Sequence, residues 1–362
     1  MKDFSNYRFY SEYPNYQVAQ KEREEYVEGI ETYLEILRNK SVNERKKYLN
    51  PDSYFSDPER YRREYRDMLG VPLSGYSDGM PVPKVRKTYV ATDEMCEIYR
   101  MQIEIADGFW FYGIYFVPND KKNKKTGLVI CQHGGGGTPE LCADMVGKNN
   151  YHNMVHRILD CGIRVFAPQI LVWGKIPGGN DAAAALPSLA GKREFLDRSL
   201  KQLGSSIAAV EIYSIMRSLD YFCADSLVDE AKIGMIGLSY GGFYTLITAA
   251  ADQRIVSAYS SCAMNDRFKY NLESWIWNNS GNTFNDEGIA AIIAPRRFYC
   301  EIGRYDTVFT CDTAPDFNAL VKPFYAKFGA EGNFRFNIHD DPEGHRIDTA
   351  DCGFDFFTEP LL

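Results

Sequence analysis

Apolar and polar positions change their period twice along the chain. Over residues 1 to about 90 the spacing is helical within a strongly charged background. KEREEYVEGIETYLEILRN carries apolar residues three and four apart, and SDPERYRREYRDMLG is a second charged stretch. The segment reads as a helical N-terminal extension ending at the Pro and Gly punctuation of VPLSGYSDGMPVPKV. From Glu97 the pattern is that of strands: EIYRMQIEI and FWFYGIYFVP flank Asp107-Gly108 and predict a hairpin. Beyond it, the short apolar runs TGLVICQ, IRVFAPQ, KIGMIGL, IVSAYSS, RRFYCEIG and FRFNIHD alternate with helix-like segments. Such alternation predicts parallel strands joined by crossover helices, hence an α/β domain over residues 91–362 with its sheet covered on both faces. The chain shows no internal repeat and no low-complexity tract.

Composition narrows the partners. The 362 residues are 45% hydrophobic and 25% charged, close to the globular average, with a net charge of -8. That acidity disfavours nucleic acid and anionic membrane surfaces, which would repel most of the protein at long range. No run is apolar enough for a membrane helix, and the first residues lack the apolar core of a signal peptide, so a cytoplasmic protein is expected. Nine cysteines are scattered without CxxC pairs, which fits small core residues better than zinc ligands. In the charged N-terminal segment acidic and basic residues interleave, as on a solvated face.

The sharpest chemical signal is Gly237-Leu238-Ser239-Tyr240-Gly241-Gly242, directly after the strand KIGMI and before the helix-like FYTLITAAAD. This is the G-x-S-x-G nucleophile elbow in its required context. Ser239 needs a base. Of the five histidines, His133 opens a glycine run, His152 and His156 fall in a helical stretch, and His339 lies on the strand FRFNIHD. His345, in Asp341-Pro342-Glu343-Gly344-His345 just past that strand, is the expected base. Its orienting carboxylate is expected to be Asp306, in the loop Gly303-Arg304-Tyr305-Asp306, ahead of the rivals Asp266, Glu301 and Asp312. The order Ser239, Asp306, His345 suits this architecture. The oxyanion donors are expected at the Tyr240 amide and in the run from His133 to Gly137, at Gly134 and Gly135. GGGGTPE lacks the Lys-Ser/Thr of a phosphate-binding loop. Trp173, and Trp275 with Trp277 in the insertion YNLESWIWNNSGNTFND, fall beyond the carboxyl ends of strands and are expected to line the substrate site; packing of the insertion is the other reading of these tryptophans.

Together QHGGGG, GLSYGG, GRYD and EGHR resemble the α/β-hydrolase superfamily over residues 95 to 362, most of all the bacterial group related to acetyl xylan esterases and dienelactone hydrolases. That resemblance implies an eight-stranded, mostly parallel sheet and a small carboxylic ester as substrate, often an acetylated sugar. It implies no metal and no organic cofactor. The elbow carries Ser239 where dienelactone hydrolases typically have cysteine, and Gln169-Ile170-Leu171-Val172-Trp173-Gly174 stands in place of a more acidic, polar loop. A peptidase of the prolyl oligopeptidase type and a non-catalytic ligand receptor share the scaffold. The N-terminal helices are candidates for an active-site cap or a homo-oligomer contact.

Overall fold

A computed structural model describes residues 1, 3, 16–146, 150–171, 191–270 and 272–362. They form two compact units, Met1–Tyr48 and Leu49–Leu362. The first contains helix α1 (Tyr16–Tyr48). In the second, α2 (Pro51–Ser56) and α3 (Pro58–Leu69) precede a nine-stranded sheet.

The expected boundary near residue 90 therefore does not separate these units. SDPERYRREYRDMLG is charged, yet its tyrosines occupy one helical face, and Tyr61 and Tyr65 are buried there together with Tyr54. Tyr54 Oη lies 2.8 and 2.9 Å from the carbonyls of Ile292 and Ala294, and Tyr65 Oη donates to the Ile247 carbonyl at 3.3 Å. Burying an aromatic body whose hydroxyl still finds an acceptor fastens α2 and α3 to the sheet domain.

The sheet comprises β1 (Val85–Thr92), β2 (Cys96–Ala106), β3 (Phe109–Pro118), β4 (Thr126–Gln132), β5 (Arg164–Pro168), β6 (Val228–Leu238), β7 (Ile255–Ser261), β8 (Arg297–Gly303) and β9 (Phe334–His339). Their order is β1-β2-β3-β5-β4-β6-β7-β8-β9. The first three are antiparallel, β3 meets β5 antiparallel, and β5 to β9 run parallel. All eight strands expected from the apolar runs are present. The ninth, β1, is an edge strand with its side chains mostly in water. Without a buried face it has no apolar alternation to betray it, and its Arg86 and Lys87 suit an unpaired edge. The hairpin turns at Asp107-Gly108, with a register shift between Glu104 and Ala106 and Gly108 at φ +75°.

Strands β4 and β5 are buried along nearly their whole length because helices cover both faces. These include α4 (Pro139–Cys142), α5 (Met154–Asp160), α6 (Lys192–Lys201), α7 (Ile207–Cys223), α8 (Tyr240–Ala251), α9 (Asp286–Ala291), α10 (Ala314–Lys327) and α11 (Asp351–Thr358). Strand order doubles back around β4, and in open α/β sheets ligands bind beyond the carboxyl ends of the strands at such a switch point.

Candidate active site

At the end of β6 the chain turns directly into α8 through Ser239, which adopts φ +59° and ψ -121°. A residue with a β-carbon holds such a conformation at a cost of about 1 to 3 kcal/mol, so surrounding packing must impose it. The glycines make that packing possible. A β-carbon on Gly241 would lie 2.2 Å from the Gln132 carbonyl oxygen, and one on Gly237 would lie 2.4 Å from that of Gly241. The Ser239 amide donates to the Ser261 carbonyl at 2.8 Å, tying the elbow to β7. The hydroxyl is left at the sheet edge beside the amino end of α8, where first-turn amides and the helix dipole favour negative charge.

Two loops further along the same edge carry the residues expected as acid and base. Asp306 follows β8 and His345 follows β9, and His345 Nδ1 lies 2.8 Å from Asp306 Oδ2. Asp306 Oδ1 accepts from the amides of Val308 and Phe309 at 2.7 and 2.9 Å. Burial pushes its carboxyl up, but the His345 hydrogen bond and charge, with those two amides, outweigh this and hold it below the ordinary carboxylate value. The loops interlock: a β-carbon on Gly344, at φ +68°, would sit 2.4 Å from the Tyr305 carbonyl oxygen. A contact path also joins this pair to the elbow, since the Ser261 hydroxyl faces the Arg346 carbonyl at 3.4 Å.

The rivals for the acid are occupied elsewhere. Asp266 accepts the Phe268 amide within its own turn. Asp312 pairs with Lys269 at 2.7 Å, whose hydrogen bond and that of Thr310 bring its carboxyl down to about 2. Glu301 lies inside β8, fully buried, accepting from the Tyr259 hydroxyl at 2.7 Å and the Asp348 amide at 3.0 Å. Burial pushes its carboxyl up to about 7.

The glycine run follows β4 as expected, with one correction. The Gly134 amide donates to the Tyr151 hydroxyl at 2.7 Å, so the donor expected for an oxyanion is already used. Gly135, the exposed residue of the run, is the expected donor that remains. Buried His133 organises this corner: its Nδ1 bonds the Gly134 carbonyl, and its Nε2 accepts from the Ile170 amide. Burial lowers its pKa to about 4, which keeps the ring neutral for that donor and acceptor pair.

No family model matches the chain. Solved structures share its architecture: an acetyl xylan esterase candidate from Bacteroides fragilis (14% identity, 90% of this chain and 88% of that one, TM-score 0.64), a glucuronoyl esterase from Solibacter usitatus (15%, 86% and 94%, 0.61) and acetyl xylan esterase 1 from Thermoanaerobacterium (15%, 84% and 94%, 0.55). The chain has the α/β-hydrolase fold. Among curated sequences, YtaP of Bacillus subtilis, a candidate hydrolase, is 27% identical over 140 residues, 36% of this chain and 47% of that protein. The chain thus spans about half the length of that relative.

On this hydrolase fold several supporting residues had no sequence signal. Asn150 Nδ2 donates to the His345 carbonyl at 2.7 Å, and the Ile347 amide donates to the Asn150 carbonyl, so the histidine loop is braced from across the sheet edge. Arg193 and Glu211 form a buried pair at 2.8 Å that also takes the Leu171 carbonyl and amide, fixing the exit of β5.

The tryptophans differ from expectation. Trp275 is 2% exposed; it stacks on Phe243 with ring centroids 4.5 Å apart, and Arg267 lies 4.5 Å from its centre. Trp277 is also buried and parallel to Phe243. Their faces are taken by protein, so they pack the insertion instead of presenting a wall to substrate. Trp275 does reach the site indirectly, through Phe309, whose ring centroid is 5.9 Å from that of His345. Trp173 lies outside the described residues. Cys262 Sγ, Asp306 and His345 offer atoms within 4.8 Å of one another, but burial holds the Cys262 thiol well above its ordinary pKa, and a protonated thiol is a poor metal donor. Among the described residues no helix is long and apolar enough to cross a membrane.

Proposed function

We propose that the protein is a serine ester hydrolase that works through an acyl-enzyme. Ser239 Oγ attacks the ester carbonyl carbon while His345 Nε2 takes its proton. Asp306, ionised and bonded to His345 Nδ1, fixes the tautomer and stabilises the imidazolium. The amides of Tyr240 and Gly135 receive the oxyanion. His345 then returns the proton to the departing alcohol, and water repeats the sequence in reverse to release the acid. The observation that carries this reading is the pairing of a strained serine at a strand-to-helix elbow with the 2.8 Å His345–Asp306 contact on the same sheet edge.

A small acyl group, acetyl first, on a carbohydrate or similar small alcohol is the proposed substrate. The fold likeness to acetyl xylan and glucuronoyl esterases supports this class. The nine free cysteines, including buried Cys96, Cys131, Cys142, Cys262 and Cys300, support a reducing, cytoplasmic setting. Ser239→Ala is expected to reduce hydrolysis of p-nitrophenyl acetate by at least about 10⁴-fold while the circular dichroism spectrum stays unchanged. Undiminished turnover would overturn the proposal. Peptide amides should be cleaved far more slowly than acetyl esters; the reverse order would favour a peptidase.

A further inference from the structure

Helix α1 carries an apolar stripe that faces solvent. Val27, Ile30, Leu34 and Leu37 recur at alternating spacings of three and four and keep between 43% and 53% of their surface open, and Tyr26 and Tyr33 widen the same face. The spacing is that of the a and d positions of a heptad, the pattern by which helices pair. The stripe is centred on Thr32, midway along a helix of 33 residues and about 50 Å.

Charge is antisymmetric about that same midpoint. Residues 16–31 hold five acidic against two basic side chains, and residues 32–48 hold five basic against two acidic. The flank beside the stripe reads Glu24, Glu31, Arg38, Arg45, acidic then basic. From these observations we infer that α1 is a homodimerisation helix that pairs antiparallel with α1 of a second copy about a two-fold axis near Thr32.

In that arrangement Val27 layers on the partner's Leu37 and Ile30 on the partner's Leu34, the a-to-d pairing that antiparallel helices require. Glu24 then faces the partner's Arg38, and Tyr26 comes near the partner's Lys40. A parallel pair would set acidic halves on one another and bring Lys40 against the partner's Arg45, so the charge pattern selects direction as well as partner. An isologous two-fold contact also closes on itself, which suits one stripe per chain.

Light scattering on the full chain at micromolar concentration should give twice the 41.3 kDa of one copy. Ile30→Glu with Leu34→Glu should yield monomers. Glu24→Arg with Glu31→Arg, which makes the flank wholly basic, should do the same, and adding Arg38→Glu with Arg45→Glu should restore the dimer. Circular dichroism verifies folding of each variant. A wild-type monomer, a dimer indifferent to the glutamates in the stripe, or a charge reversal that fails to rescue would each overturn the inference.

Discussion

Two neighbouring loops at the carboxyl edge of the sheet make an instructive contrast. The elbow after β6 is short, and its geometry is forced: Gly237 and Gly241 touch backbone that cannot yield, and Ser239 is held at φ +59° between them. The insertion after β7 is long and aromatic, and Trp275 sits within it between Phe243 and Phe309. One loop presents the Ser239 hydroxyl by excluding side chains from its own turn. The other buries its two tryptophans and packs behind the site. Proximity to the candidate site therefore does not give a residue a role in it; what its surface touches decides that.

That contrast can be broken by experiment. After Ser239→Ala the largest effect should come from Asp306→Asn, which leaves the shape but loses the charge and the tautomer control: kcat should fall about 10³- to 10⁴-fold, up to about 5.4 kcal/mol of barrier. A fall of only a few-fold would return the acid's role to a rival. Gly241→Ala places a methyl 2.2 Å from the Gln132 carbonyl oxygen and should cost upwards of about 4 kcal/mol in unfolding free energy, seen as loss of soluble protein. Trp275→Ala should cost about 3 to 5 kcal/mol, measured in urea, while kcat of the folded protein stays within a few-fold. A large fall in kcat with stability intact would show that the insertion takes part in the chemistry.

The smallest effect concerns pH and separates two carboxylates five residues apart. Asp306 has its pKa lowered, so its stabilisation is present above the ordinary carboxylate value and is lost as pH falls through the lowered one. Glu301 has its pKa raised to about 7 from an ordinary 4.5. The folded state there binds the proton more tightly than the unfolded chain, so stability declines as pH rises from 4.5 to 7, by roughly 3 kcal/mol. Glu301→Gln can still accept the Asp348 amide and should flatten that decline. Identical urea midpoints for wild type and variant at both pH 5 and pH 8 would contradict this account of the buried carboxyl.

The division between legible and illegible follows the range of the forces. Eight strands, the hairpin and the elbow announce themselves because burial on one or both faces, or a glycine under a backbone contact, leaves a local mark in the chain. Strand β1 leaves none, because an edge strand in water needs no apolar pattern. The charged stretch around Tyr61 and Tyr65 misleads because tyrosine buries its ring and still satisfies its hydroxyl, so a core face can look polar. His345 and Asp306 are readable from their loops, but the brace from Asn150 and the capture of the Gly134 amide by Tyr151 are not. Both depend on contacts between separate segments, 195 residues apart for Asn150 and His345 and 17 for Gly134 and Tyr151.

The central claim is that Ser239 is the nucleophile, and covalent labelling tests it most directly. A fluorophosphonate should modify the protein at one equivalent, on the peptide that contains Ser239, with esterase activity lost in step and labelling abolished in Ser239→Ala. Full activity in the labelled enzyme, or stoichiometric label on a different residue, would contradict the account.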